Sequence, residues 1–160
     1  MPRPSKDRLL DHALALKRTD DPDLRPKGGF SMRGHSVGGF GSVTTNKIIA
    51  TIAGNVFGKD VQAYPKYGSE KKGLPTTYYL TIAETHIDMH SELEKVELLC
   101  INDPTAILSP LTLKGVVPGG AVFMQSPYAD PADVWKRIPH DNKHSIREKK
   151  IRVYYCDMVR

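Results

Sequence analysis

Arg33-Gly34-His35-Ser36-Val37-Gly38-Gly39-Phe40-Gly41, followed by the apolar run Ser42 to Phe57, is the stretch on which the fold turns. It reads as a strand end, a glycine-rich turn and a helix start. Glycine removes the side chain, so backbone N–H groups can close on an anion or on another chain. The first turn of a helix adds unpaired N–H groups and a partial positive charge. Two readings stand at this point. The turn cradles a phosphate or pyrophosphate, or it is a tight connection that lets helix and sheet pack.

Outward from the turn, the chain alternates between strand-like and helix-like segments. Gly28 to His35 is a short first strand, and Ser42 to Phe57 is a helix closed by Gly58. Its apolar face is expected from Val43, Ile48, Ile49, Ile52, Ala53 and Val56. Asp60 to Ala63 is a short strand, and Tyr64 to Pro75 is a loop carrying three lysines, a glutamate and two tyrosines. Loops so loaded tend to carry function. Thr76 to Ile82 and Val96 to Ile101 are strands, the second apolar enough to be buried on both faces. Thr105 to Leu113 is a weak helix and Val116 to Gly120 a turn. Ala121 to Gln125 is a strand, Pro131 to Ile138 a short helix bearing Trp135, and Ile151 to Asp157 the last strand. This alternation predicts an α/β fold: an open, mostly parallel, Rossmann-like sheet with helices on both faces. Ligands in such folds sit beyond the carboxyl ends of the strands. The glycine turn, the lysine-bearing loop and Asn102-Asp103 all follow strand ends, so they are expected to share one edge.

Residues 1–29 read as an extension or partner-wrapping arm, and residues 30–160 as the α/β domain. Within the arm, Asp7 to Leu16 has Leu9, Leu10, Ala13 and Leu16 on one side of a short helix. No element follows the last strand, which is expected of a fragment or of a chain completed by another subunit.

Composition narrows the function. With 160 residues and 39% hydrophobic content the chain has enough for one core. A formal net charge of +5 suits anionic ligands or an acidic partner surface. There is no basic patch interleaved with aromatics and no base-reading motif, so nucleic acid is not expected. No apolar run approaches membrane-spanning length and no signal-peptide core is present; two free thiols would suit the reducing cytoplasm. Cys100 and Cys156 sit in apolar runs and are expected as buried free thiols, with no cysteine cluster for zinc or iron–sulfur. His86 and His90 have the spacing of a helical metal pair but no third ligand. Asp103 before Pro104 reads as a helix cap rather than a catalytic carboxylate. No nucleophile elbow is present, and Cys100 has no activating base nearby. The chain has ligand-handling loops and no complete reaction centre.

Two of these segments also carry a resemblance. Ser36-Val37-Gly38-Gly39-Phe40-Gly41 before an apolar helix resembles the start of the gamma subunit of 2-oxoacid:ferredoxin (acceptor) oxidoreductases. Tyr64-Pro65-Lys66-Tyr67-Gly68-Ser69-Glu70-Lys71-Lys72-Gly73 is similar to that family's tyrosine-glycine-x-glutamate-x-arginine-glycine signature. Asn102-Asp103-Pro104 and Pro118-Gly119-Gly120 fall where the family has them. The likeness spans Arg33 to Asp157. Ser36 stands for the family's first turn glycine, Phe40 for its glutamine, Lys72 for its arginine and Leu74 for a further glycine. Lysine keeps the charge of arginine and loses its planar fork.

The resemblance implies an oxidative decarboxylation of a 2-oxoacid, commonly to an acyl-CoA. Thiamine diphosphate with Mg would carry the carbanion chemistry and iron–sulfur clusters the electrons, both on alpha, beta and ferredoxin-like delta subunits, with ferredoxin or another carrier as acceptor. No cofactor would be held wholly by this chain, which would cover the active site and help bind CoA. The residues expected to do so are Gly34 and Ser36, with Gly38, Gly39 and Gly41 giving close backbone approach. With them stand Lys66, Tyr67, Gly68, Ser69, Glu70, Lys71 and Lys72, whose lysines would neutralise phosphate. Two alternatives remain open: a stand-alone nucleotide-binding domain and a purely structural assembly subunit. The first needs an acidic residue after the second strand, where Gln62 and Tyr64 are not acidic.

Overall fold

The computed structural model describes residues 23–37, 41–67, 75–88 and 90–158. Six strands form one sheet: β1 (Phe30–Val37), β2 (Asp60–Tyr67), β3 (Pro75–Ala83), β4 (Val96–Ile101), β5 (Val116–Gln125) and β6 (Arg152–Cys156). Their spatial order is β2-β3-β1-β4-β5-β6. β1, β4, β5 and β6 are parallel neighbours, whereas β3 runs antiparallel to both β1 and β2. The sheet is therefore mostly parallel with one reversed strand inside it. The helices are α1 (Ser42–Asn55), α2 (Pro131–Arg137) and α3 (His140–Glu148), with a 3-10 turn at Pro104–Leu108.

Alternation along β4 shows how the sheet divides its faces. Leu99 and Ile101 enter a core with Val122, Met124, Val134, Ile138 and Ile146, beneath α2 and α3. Leu98 and Cys100 face the other way and pack with Met32, Tyr78, Leu80 and Val43, on the α1 side. Helices thus cover both faces, as the alternating pattern predicts. Each fully buried Leu or Ile here contributes about 1.5–3 kcal/mol.

α1 departs from expectation. Its buried residues are Ser42, Asn46 and Ala53, and Asn46 Nδ2 donates to the Tyr79 carbonyl at 3.0 Å. Ile48, Ile49, Ile52 and Val56 are 54%, 40%, 45% and 71% exposed. The single apolar face expected from Val43 to Val56 is split. Small and polar residues let the helix sit close on the sheet, and the large aliphatics form a lateral ridge.

Other boundaries move for identifiable reasons. β2 runs through Pro65 to Tyr67, so Tyr64 to Tyr67 of the expected loop are strand, and residues 68–74 lie outside the described residues. Pro65 is tolerated because β2 is an edge strand. The expected turn at Val116 to Gly120 is an irregular start of β5: pairing passes from Val96↔Val116 to Leu98↔Ala121, with Gly119 at φ +74°. The helix expected over Thr105 to Leu113 is the short 3-10 turn, and α3 was not expected at all. Of the two cysteines expected to be buried, Cys100 is half-buried and Cys156 is exposed.

The helix expected at Asp7 to Leu16 lies outside the described residues. The described end of the leader is pinned. Arg25 pairs with Asp23 at 2.6 Å and with Glu97, whose other oxygen accepts the Ser31 N–H at 2.7 Å. That arginine holds the Asp23 carboxyl down at about 2. No helix among the described residues is long and apolar enough to cross a membrane.

Candidate functional site

Register places the predicted loops at one rim. Val37, the last residue of β1, pairs with Pro75, and Tyr67, the last of β2, pairs with Thr76. The strand ends that precede residues 38–40 and 68–74 therefore lie at the same edge, the carboxyl end of the parallel strands. Asn102 and Asp103 join them: their N–H groups donate to the His35 carbonyl at 2.8 and 3.3 Å. The Asp103 carboxylate accepts from Thr105 N and Oγ1 at 3.0 and 2.7 Å, so it is the cap the sequence suggests.

At the turn itself, Ser36 and Ser42 close the gap between β1 and α1. Ser42 Oγ donates to Ser36 Oγ at 2.6 Å, and both residues are buried. Gly41 has φ +73° at the helix start, a conformation glycine adopts without strain. α1 has no side-chain cap and no acidic residue in its first turn. Its first N–H groups therefore lack the partner that a capping side chain supplies elsewhere. Beneath this start lies a cleft of about 350 Å³ lined by Ser42, Thr45, Tyr78, Asn102 and Gln125 above Met32 and Cys100. Burial pushes the Cys100 thiol up to about 11, which keeps it protonated and inert.

Gly34 serves packing. It faces Tyr78 across the strands, and a Cβ at Gly34 would lie 1.9 Å from Tyr78 Cζ. The tyrosine ring crosses the glycine and its hydroxyl donates to Asn102 Oδ1 at 2.7 Å. Tyr78, Thr45 and Gln125 escaped the sequence reading because only the register brings them here. A glycine inside a strand was the available signal of close approach.

Lys66 shares the rim but not the face of α1. It sits in a row with Thr77 and His35, on the side opposite Ser36. Its ammonium pairs with Glu92 at 2.7 Å, with the side chain 57% exposed. The neighbouring rows are Tyr64–Tyr79–Arg33 and Gln62–Thr81–Ser31, so this part of the sheet is polar throughout. Tyr64 and Tyr79 stack with centroids 5.2 Å apart. Arg33 is buried and donates to the carbonyls of Thr112, at 3.1 Å, and Lys114. Burial, with the nearby Arg33 charge, pulls the His35 imidazole down to about 4. Arg33 Nε, His35 Nε2, Gln62 Oε1 and Tyr64 Oη are buried here without a hydrogen-bond partner among the described residues. Gly38, Gly39, Gly68, Ser69, Glu70, Lys71 and Lys72 lie outside the described residues, and of Tyr67 only the backbone is described.

Among the described residues no three His, Cys, Asp or Glu converge. His86 pairs with Asp60 at 2.8 Å, in a segment that is not helical.

Comparison with known proteins matches this architecture. The family model for pyruvate ferredoxin/flavodoxin oxidoreductase matches residues 31–160. A pyruvate:ferredoxin oxidoreductase of Moorella thermoacetica is 28% identical over 146 residues, covering 91% of this chain and 12% of that protein. The common subunit gamma of the pyruvate/ketoisovalerate oxidoreductases of Thermococcus kodakarensis is 30% identical over 95 residues, covering 59% of this chain and 51% of the relative. The crystal structure of pyruvate oxidoreductase subunit PORC from Thermotoga maritima superposes with a TM-score of 0.56 at 27% identity, over 69% of this chain and 56% of that one. This chain thus spans about half the length of the subunit relatives it matches. On the match over residues 31–160, with the glycine turn and the one-rim loop geometry inside it, the chain belongs to the pyruvate ferredoxin/flavodoxin oxidoreductase family.

Proposed function

We propose that this chain is the gamma-type component of a multi-subunit 2-oxoacid:acceptor oxidoreductase, covering the active site and helping to hold CoA. The observation that carries this reading is the uncapped start of α1 after Gly41, on the same rim as the end of β2 that leads into the lysine-bearing segment 68–74. Backbone N–H groups and ammonium groups are the donors a pyrophosphate needs. Gly38, Gly39 and Gly41 would allow the close approach, and Lys66, Lys71 and Lys72 would neutralise charge. Lys66 would have to exchange Glu92 for the ligand.

Thiamine diphosphate, iron–sulfur clusters and the residues that hold them belong to companion alpha, beta and delta chains in this reading. This chain has two cysteines, Cys100 and Cys156, one half-buried on the α1 face and the other exposed at the end of β6. They offer no cluster ligand set. Thiamine diphosphate supplies carbanion stabilisation and the clusters supply electron transfer. The gamma component binds and orients the CoA and keeps water from the covered site. A stand-alone dinucleotide-binding domain fits less well, because β3 intervenes between β1 and β2 and β2 ends without an acidic residue.

The test is the purified complex. It is expected to oxidise a 2-oxoacid with a viologen dye as acceptor. The triple change K66E/K71E/K72E is expected to raise the KM for CoA about tenfold or more, since charge-assisted contacts to phosphate are lost. The Lys66–Glu92 pair favours the second reading, in which the rim faces protein. An unchanged KM for CoA together with failed assembly would establish that reading instead.

A further inference from the structure

Two tyrosines and a carboxylate meet on the rim face opposite α1. Tyr64 and Tyr79 are direct partners across β2 and β3, and their rings stack at 5.2 Å with 20° between the planes. Near-parallel rings from paired positions set the two hydroxyls side by side. Glu92 comes to them from the segment between β3 and β4, where the neighbouring Leu93 is buried. One carboxylate oxygen, Glu92 Oε2, accepts from Lys66 Nζ at 2.7 Å and from Tyr79 Oη at 3.5 Å. Tyr64 Oη is buried and has no hydrogen-bond partner among the described residues. Burial pushes the Tyr64 phenol up, and the Glu92 charge adds to the effect, so that carboxylate acts on it electrostatically.

Stability does not account for this arrangement. An ion pair with side chains 57% and 43% exposed adds little to a fold. A buried hydroxyl left without an acceptor costs at least as much as such a pair contributes. Moving the Glu92 carboxylate from Lys66 towards Tyr64 would make a charge-assisted bond to that hydroxyl and free an ammonium at the carboxyl rim. Loss and gain offset each other, so two positions of one side chain lie close in free energy. A ligand that binds only one of them selects it.

We propose that Glu92 is a positioning residue for Lys66: it holds the ammonium while the rim is empty and passes to the Tyr64 hydroxyl when a phosphate takes the lysine. The proposal rests on the CoA-holding reading above and adds to it a competitor built into the chain. The carboxylate weakens the empty rim for every anion, and the spare hydroxyl lowers the cost of displacing it.

The test uses the purified complex, with the KM for CoA measured during 2-oxoacid oxidation with methyl viologen as acceptor. E92Q removes the competitor and is expected to lower the KM about threefold, the size of one exposed ion pair. Y64F removes the second position and is expected to raise it about threefold. In a K66Q background E92Q should no longer lower the KM, because the two changes act through one contact. E84Q makes the same charge change at the Lys59–Glu84 pair, 2.6 Å long and just past the other end of β3. It should move the KM less than about 1.5-fold. An E92Q KM at or above the wild-type value overturns the proposal, as does a fall of equal size in E84Q or in the K66Q background. A Y64F KM at the wild-type value overturns it too. So does a lower kcat at constant KM in E92Q, which would mark a structural role only. If K66Q alone leaves the KM for CoA at the wild-type level, the CoA-holding reading of this rim fails instead.

Discussion

Gly34 has no room for a methyl group, because the Tyr78 ring occupies the space a Cβ would take. Gly34→Ala is expected to cost about 3 kcal/mol, read as a lowered urea midpoint. Gly34→Ala with Tyr78→Ala should recover much of that loss, and full additivity of the two changes would disprove the packing role. His35 makes a second residue-scale prediction. Its folded pKa, about 4 against an ordinary 6.5, means the folded chain refuses a proton that the unfolded chain accepts. Stability contributed by the neutral ring is complete above about pH 6.5 and is lost as pH falls towards 4, on the order of 2 kcal/mol after allowing for partial exposure. His35→Gln should flatten the melting temperature between pH 7 and 5, and an unchanged slope would count against it. Both glycines that matter, Gly34 and Gly41, were visible in the sequence. That one answers to a neighbouring ring and the other to a backbone angle was not, since the ring arrives from a distant strand.

At the scale of elements, the ridge on α1 gives a prediction. I52K/V56K should change the stability of the chain by no more than about 0.5 kcal/mol, because both side chains already meet solvent. Ala53→Leu, 7% exposed against the sheet, should cost about 1–3 kcal/mol. Equal losses in urea denaturation would reject this orientation. Periodicity revealed that α1 is a helix and placed Val43 and Ala53 inward, but it missed Ser42 and Asn46, which score as polar and are buried. β4 was legible to the residue, because an apolar run between two turns has few other uses. α3 was hidden: His140 to Glu148 buries only Asn142 and Ile146, too little for an apolar pattern. Pro65 masked the end of β2 for the opposite reason, as an edge position forgives a missing N–H.

For the whole molecule, alternation of segments conveyed the α/β class and the shared rim. It did not convey that β3 turns back between β1 and β2, nor that Lys66 and the helix start lie on opposite faces of that rim. Both facts follow from strand pairing between segments remote in sequence, which local patterns do not encode.

The strand order has a consequence for how the chain is made. By residue 83 a nascent polypeptide holds β1, β2 and β3, which together form one finished flank of the sheet. β4, β5 and β6 then emerge in the order in which they are laid against the free side of β1. No later segment has to be threaded between two already joined, so assembly can proceed outward as translation advances.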